Sequence, residues 1–317
     1  MKSSLSRRQF LTTLGLSAVT APVFPMITNS FRVDTAPASR KVHIFSKHLQ
    51  WLDYNAMATF VAECGFDGAD ITVRPGGHVE PTRVQEDLPR VVEAMKKSGK
   101  EVTMITTAIL SADEAEAEPV IRTAAGLGIQ LYRLGWYPYD TKQSIAENLK
   151  SIEGKLRKLA SLSENYKIKG CYQNHSGNSF GSPVWDLARV LHAINSPWVG
   201  CQYDVRHAVV EGANSWSLGF DYIKPYINSL DVKDFQWAIQ NGKWTAENVP
   251  LGNGAVDFNE YFRKIGSIPA TVPVSLHMEY PLGGAENGSR TITVSRDEVR
   301  AAMMRDLKFI RERVSVG

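Results

Sequence analysis

Eight times between residue 41 and the C-terminus, a short apolar run is followed by a segment of helical periodicity. The pair recurs roughly every 30 residues, the length of one βα unit. Predicted strands cover residues 42–46, 68–73, 101–107, 131–136, 169–175, 199–204, 227–233 and 272–279. Predicted helices lie between and after them, at 53–64, 88–97, 111–127, 144–164, 184–194, a short stretch at 216–222, 259–265 and 296–314. Asp53 is placed to cap the first helix, and Gly65, Gly99 and Gly128 stand where the first three end. No glycine-rich phosphate loop opens the series, and the units follow in one run. A closed barrel is therefore favoured over a doubly wound sheet. The expected fold class is α/β, a single (β/α)8 TIM barrel over residues 39–317. Right-handed crossovers then bring all strand C-termini to one face, where such barrels build their sites. The longest connection, residues 235–256 with Trp237, Trp244 and Gly252-Asn-Gly254, reads as a loop roofing that face.

Residues 1–38 read as a leader. Ser6-Arg-Arg-Gln-Phe-Leu11 precedes a mildly apolar run and resembles a twin-arginine export signal. Gly15, Pro22 and Pro25 break the run, so it makes a poor membrane helix, and no stable membrane insertion of the mature chain is expected. Ala36-Pro-Ala38 fits a small-x-small cleavage site. The expected partner is the twin-arginine export machinery, and the expected location is periplasmic or secreted. Lys2, Arg7 and Arg8 are the only charges among residues 1–30 and account for the whole net charge of +3. The remainder is neutral, which argues against a nucleic-acid partner. Three cysteines, Cys64, Cys171 and Cys201, are too few and too scattered for a disulfide framework. A homo-oligomer is compatible with the sequence.

Four predicted strands begin apolar and end in costly polar groups: Gly170-Cys-Tyr-Gln-Asn-His-Ser176, Gly200-Cys-Gln-Tyr-Asp-Val-Arg-His207, Ser229-Leu-Asp-Val-Lys-Asp234 and Val274-Ser-Leu-His-Met-Glu-Tyr280. Side chains two apart share a strand face. Cys171, Gln173 and His175 therefore align, as do Gln202 and Asp204, Asp231 and Lys233, and Ser275, His277 and Glu279. Turned inward, Gln173, Asp204, Asp231 and Glu279 would ring the barrel mouth. Clustered carboxylates repel one another unless a cation or proton intervenes. Oxygen ligands suit Mn²⁺ or Mg²⁺, and added histidines would favour Mn²⁺, Co²⁺ or Zn²⁺. Asp231 could instead pair with Lys233. Trp136, Trp237 and Trp244 are open between packing and stacking on a ligand ring. Arg74 and Arg133 are open between anion binding and solvation.

The chain resembles the xylose isomerase-like barrel family of sugar isomerases and epimerases. Gly65-Phe-Asp-Gly68, Tyr203-Asp-Val-Arg-His207, Asp231-Val-Lys-Asp234, Leu251-Gly-Asn-Gly-Ala-Val-Asp257 and Glu279 carry the resemblance, in order and spacing. It implies a divalent metal held by Glu, Asp, His and Glu from the last four strands, which fall here on Gln173, Asp204, Asp231 and Glu279. Two of the four depart from that pattern, Gln173 for Glu and Asp231 for His. An amide cannot shuttle a proton, so Glu279 is the remaining carboxylate base, with His175 or Lys233 as a second acid/base group. His207, Arg206, Trp237 and Trp244 are the expected substrate contacts.

The implied function is an exported, metal-dependent isomerase or epimerase that works through an enediolate on a non-phosphorylated sugar or sugar derivative. One alternative is a lyase, eliminating a β-leaving group from 3-keto-glycosides, which needs only one strong base. Another is a non-catalytic carbohydrate-binding barrel, which Gln173 and Asp231 favour.

Overall fold

The computed structural model describes residues 40–314, and the twin-arginine motif and the cleavage site lie outside them. Eight parallel strands close into a barrel: β1 (Val42–Phe45), β2 (Gly68–Thr72), β3 (Glu101–Thr106), β4 (Leu131–Arg133), β5 (Lys169–Gln173), β6 (Val199–Asp204), β7 (Ile227–Val232) and β10 (Val274–Leu276). Each lies beside its neighbour in sequence, and β1 closes the ring on β10 with Val42 opposite Val274. Helices α1 (Tyr54–Cys64), α2 (Val84–Lys97), α3 (Ala117–Gly126), α4 (Ile145–Tyr166), α5 (Val184–Ile194), α6 (Val205–Gly212), α7 (Trp216–Ile223), α8 (Phe258–Ile265) and α9 (Arg296–Val314) join and follow the strands. The predicted (β/α)8 architecture is the one observed.

Local chemistry explains the helix boundaries. Asp53 caps α1 by accepting from Ala56 N at 2.8 Å, and Gly65 ends it with φ +86°, a left-handed conformation that costs glycine little. Ser144 and Glu147 form a reciprocal capping box at the start of α4. The large apolar core lies between strands and helices, whereas Met104, Leu131 and Cys171 form a separate small cluster. Two residues further along the same strand faces stand Thr106, Arg133 and Gln173. The barrel interior therefore turns from apolar to polar toward its C-terminal mouth. All three cysteines are buried and free, as expected. No helix among the described residues is long and apolar enough to cross a membrane.

Two elements differ from the sequence expectation. The segment expected as an irregular roof is mostly an antiparallel hairpin, β8 (Asp234–Gln240) with β9 (Lys243–Val249). Its turn is Asn241-Gly242, with φ +52° and +75°, the twist a two-residue hairpin requires. The second is α6, which starts directly at the end of β6.

The hairpin is latched at its base by Asp234. Its carboxylate accepts backbone N–H groups from Phe235 (2.8 Å), Gly252 (3.0 Å), Gly254 (2.9 Å) and Val256 (3.2 Å). A Cβ on Gly254 would lie 2.2 Å from the Phe235 carbonyl oxygen and 2.3 Å from Asp234 Oδ1. Gly254→Ala is therefore expected to break the latch and cost about 1–3 kcal/mol, measured by urea unfolding. An unchanged midpoint would show that the latch does not hold this region.

Candidate active site at the barrel mouth

Gln173, at the end of β5, is the hub of the mouth. Its Oε1 accepts from Arg133 Nη1 at 2.8 Å. Because arginine can only donate, this bond fixes which end of the amide faces which way. The NH₂ end consequently points at two carboxylates, donating to Asp204 Oδ2 at 2.8 Å and Asp231 Oδ2 at 2.6 Å. Gln202 supplies a further donor to Asp231 Oδ1 at 2.7 Å. Strand register brings these groups together, with Gln173 opposite Gln202 and Asp204 opposite Asp231. Asp204 has a second task, since its Oδ1 caps α6 by accepting from His207 N at 3.1 Å. Asn174 locks the neighbouring backbone, donating to the Asp204 carbonyl and accepting from its N–H.

Lys233, one residue beyond β7, holds the carboxylates from above. Its Nζ lies 3.0 Å from Asp204 Oδ2 and 3.0 Å from Glu279 Oε2. Lys47, just past β1, binds the other oxygen of Glu279 at 2.7 Å. Burial alone would raise Glu279, but the ammonium groups of Lys233 and Lys47 outweigh it and hold the carboxyl well below its usual range. Burial would lower Lys233, but Asp204, Glu279 and Asp231 together push it above its ordinary value. Glu279 is thus a carboxylate and Lys233 an ammonium at neutral pH. Deeper in the barrel, burial pushes Asp231 up to about 6, despite Lys233 and Arg133 nearby. Asp70 on β2 is also raised to about 6, by burial and by the charge of Asp231, while accepting from Thr106 and Ser275 hydroxyls.

The histidines are mostly locked as neutral rings. His175 Nδ1 donates to the Ser176 carbonyl at 2.9 Å, leaving Nε2 with its lone pair. Its ring lies 4.0 Å from that of His207 and 4.5 Å from Trp136. His207 Nδ1 accepts from Arg206 Nη1 at 3.1 Å, so the proton sits on Nε2, 3.6 Å from Asp204 Oδ2. His277 stacks on Phe45 at 4.3 Å. Burial lowers His78 and His175 to about 4, and takes His48, His207 and His277 well below their ordinary value.

These shifts fix a pH dependence. Between about pH 4 and the ordinary histidine value of about 6.5, the unfolded chain binds protons that the folded chain refuses, so stability falls as pH drops through that window. Asp70 and Asp231, raised to about 6, and Asp204, Asp234 and Asp306, also raised by burial, act in the opposite sense, but the five histidines titrate across more of the window. The thermal midpoint is expected to fall from pH 7 to pH 5. A flat or rising midpoint would contradict the neutral buried histidines.

The structure brings Gln173, Asp204, Asp231, Lys233 and Glu279 together as the sequence suggested, with His175 and His207 beside them. Arg206 is engaged within the protein. It was expected to contact substrate, but its donors go to Asn248 Oδ1 (3.0 Å), the Ala246 carbonyl (2.8 Å), Ser176 Oγ (3.1 Å) and His207. It is a strut between α6 and the hairpin. Trp237 and Trp244 stand exposed on the hairpin with Ile239. Residues the sequence reading missed are Lys47, Asp70 and Gln202 as a carboxylate partner. Asp70 and Thr72 share a face of β2, a signal available from alternation.

The residues present do not fit a divalent ion. The amide of Gln173 turns its N–H donors, not its oxygen, toward Asp204 and Asp231, and Arg133 fixes it so. The Lys233 ammonium already bridges Asp204 and Glu279. Among the described residues no three His, Cys, Asp or Glu side chains are arranged to hold a metal. The metal ligation expected of Gln173, Asp204, Asp231 and Glu279 is replaced by a hydrogen-bonded network centred on Lys233.

Solved structures share this fold at low identity. D-psicose 3-epimerase with D-tagatose from Clostridium cellulolyticum H10 is 14% identical, with a TM-score of 0.65 over 86% of this chain and 99% of that one. The 3-keto-D-glucoside 4-epimerase of E. coli, in its apo form, is 12% identical, with a TM-score of 0.63 over 86% and 100%. The IOLI protein, solved with a zinc atom, is 16% identical, with a TM-score of 0.67 over 86% and 98%. No curated protein sequence is significantly similar to the chain. A family model described as xylose isomerase-like TIM barrel matches residues 58–311, most of the chain, and the chain therefore belongs to that family.

Proposed function

We propose that the chain is a carbohydrate isomerase or epimerase that enolises a carbonyl-bearing, non-phosphorylated sugar or sugar derivative using its own lysine in place of Mn²⁺ or Mg²⁺. The carrying observation is Glu279, an ionised carboxylate 23% exposed at the mouth and paired with the buried Lys233 ammonium. Glu279 takes the proton from the carbon next to the carbonyl. The electron pair moves to oxygen, and Lys233 donates a hydrogen bond to the enediolate oxygen that forms. As Lys233 turns from Glu279 to that oxygen, the carboxylate regains basicity when it is needed. The free Nε2 of neutral His175 relays a proton between the two substrate oxygens. Return of the carbon-bound proton from Glu279 to the neighbouring carbon gives an isomer; an epimer forms when His175, carrying a substrate hydroxyl proton, protonates the opposite face and Glu279 returns its proton to that oxygen.

Gln173 favours a second reading. Its pinned amide removes one carboxylate base, and β-elimination from a 3-keto-glycoside needs only Glu279. The twin-arginine-type leader supports action in the periplasm or outside the cell, where free sugars and glycosides are the accessible substrates. Chelator-treated protein should be incubated in D₂O with a panel of keto-sugars and 3-keto-glycosides. Deuterium in a product of unchanged formula supports isomerisation or epimerisation, and aglycone release supports elimination. Micromolar sugar affinity with neither outcome would instead identify a binding barrel.

A further inference from the structure

Phe45 closes β1, and three cations crowd its ring. Arg74 lies 5.6 Å from the ring centroid, Lys47 5.8 Å and Arg133 6.0 Å. His277 covers one face of the ring at 4.3 Å, so the cations converge on what remains. Like charges brought together this closely repel unless an anion joins them. Lys47 has one, Glu279. Among the described residues Arg74 and Arg133 form no ion pair with any carboxylate within 4 Å, and Arg74 makes no side-chain hydrogen bond. Arg133 is 3% exposed, and only its Nη1 is engaged, on Gln173. Arg133 Nε and Trp136 Nε1 are both buried without a hydrogen-bond partner, although the two side chains stack at 4.6 Å.

Arginine and tryptophan can only donate, so every unmet group here demands an acceptor. A buried donor left unmet is costly, and two arginines whose carboxylate neighbours Asp70, Asp231 and Glu279 act on them only from beyond ion-pair distance favour negative charge beside it. The planar guanidinium fork matches a carboxylate at two points. We infer that Arg74, Arg133 and Trp136 form an anion subsite over Phe45, and that the substrate is an acidic sugar, of the uronic or aldonic class, whose carboxylate docks there. Lys47 lies beside both this subsite and Glu279, so a carboxylate held over Phe45 would orient the rest of the sugar toward the base. The substrate class rests on the mouth being the site of reaction proposed above, whereas the subsite itself does not.

Two measurements test it. Crystals of the full chain are soaked in selenate, and anomalous scattering locates the anion. A peak within hydrogen-bond reach of Arg74 and Arg133 is expected, absent in Arg74→Met. No peak there, or one undiminished in Arg74→Met, overturns the subsite. In solution, D-glucuronate is titrated against D-glucose by calorimetry. Glucuronate is expected to bind at least about tenfold more tightly, a difference of about 1.4 kcal/mol, and the preference should vanish in Arg74→Met. Equal binding, or none by either sugar, overturns the acidic-sugar assignment. Anion binding without deuterium exchange would leave the subsite standing and sink the enolisation mechanism. Exchange without anion binding would do the reverse.

Discussion

Glu279→Gln is expected to lower turnover on an accepted keto-sugar by about 10²–10⁴-fold, with KM changed much less. Glutamine keeps the shape, but its single carbonyl oxygen replaces only one of the two carboxylate oxygens that accept from Lys47 and Lys233, so the thermal midpoint is read beside turnover to separate lost packing from the lost proton acceptor. Glu279 is the accessible member of the network. Asp204 and Asp231 are fully buried, and Gln173 donates to both of them. Among the described residues no other carboxylate combines partial exposure with two ammonium partners at 2.7 and 3.0 Å. Solvent-deuterium exchange should fall in parallel with turnover. If exchange persists within about threefold of wild type, a second group takes the proton and the assignment of Glu279 fails.

Lys233→Met carries the largest stability effect. The ammonium is 2% exposed and bridges Asp204 and Glu279. Deleting one partner of a buried charge network leaves the others uncompensated, at a cost of about 3–5 kcal/mol. For a barrel of this size that is a thermal midpoint lower by about 10 °C. Asp204, already raised by burial, loses the charge that opposes that rise and should titrate higher still. The variant should also lose turnover, because the enediolate oxygen loses its cation. Millimolar Mn²⁺ should recover part of the lost stability in the variant and leave the wild type unchanged. Wild-type protein stabilised by Mn²⁺ to the same degree would show that Lys233 yields its place to a metal.

Much of this was legible in the chain. The barrel followed from the repeated βα spacing, and its strand starts agree with the prediction for all but the last strand. Alternation within the four late strands placed Gln173, Asp204, Asp231 and Glu279 at one mouth. The hairpin was not legible from burial pattern, because beyond Asp234 and Phe235 every residue of β8 and β9 is exposed or half-buried, so no alternating buried face marks either strand. Asn241-Gly242 was its one clear signal. Lys47 escaped because it lies past β1 in a short 3-10 turn, where two-residue alternation no longer gives direction. The orientation of the Gln173 amide could not be read from its own strand. It depends on Arg133, 40 residues away in sequence, and that single bond decides whether an oxygen or an N–H faces the carboxylates. Arg206 looked like a substrate contact because it follows Asp204, but a helix begins there and turns it toward the hairpin.

The central claim is enolisation by Glu279 and Lys233 with no divalent ion. It is tested most directly by mass-spectrometric measurement of deuterium uptake from D₂O into an accepted keto-sugar, using protein freed of metal by chelation. Uptake at the carbon beside the carbonyl, undiminished by chelation and abolished in Glu279→Gln, is the predicted result. Uptake that disappears with chelation and returns with Mn²⁺ would contradict it.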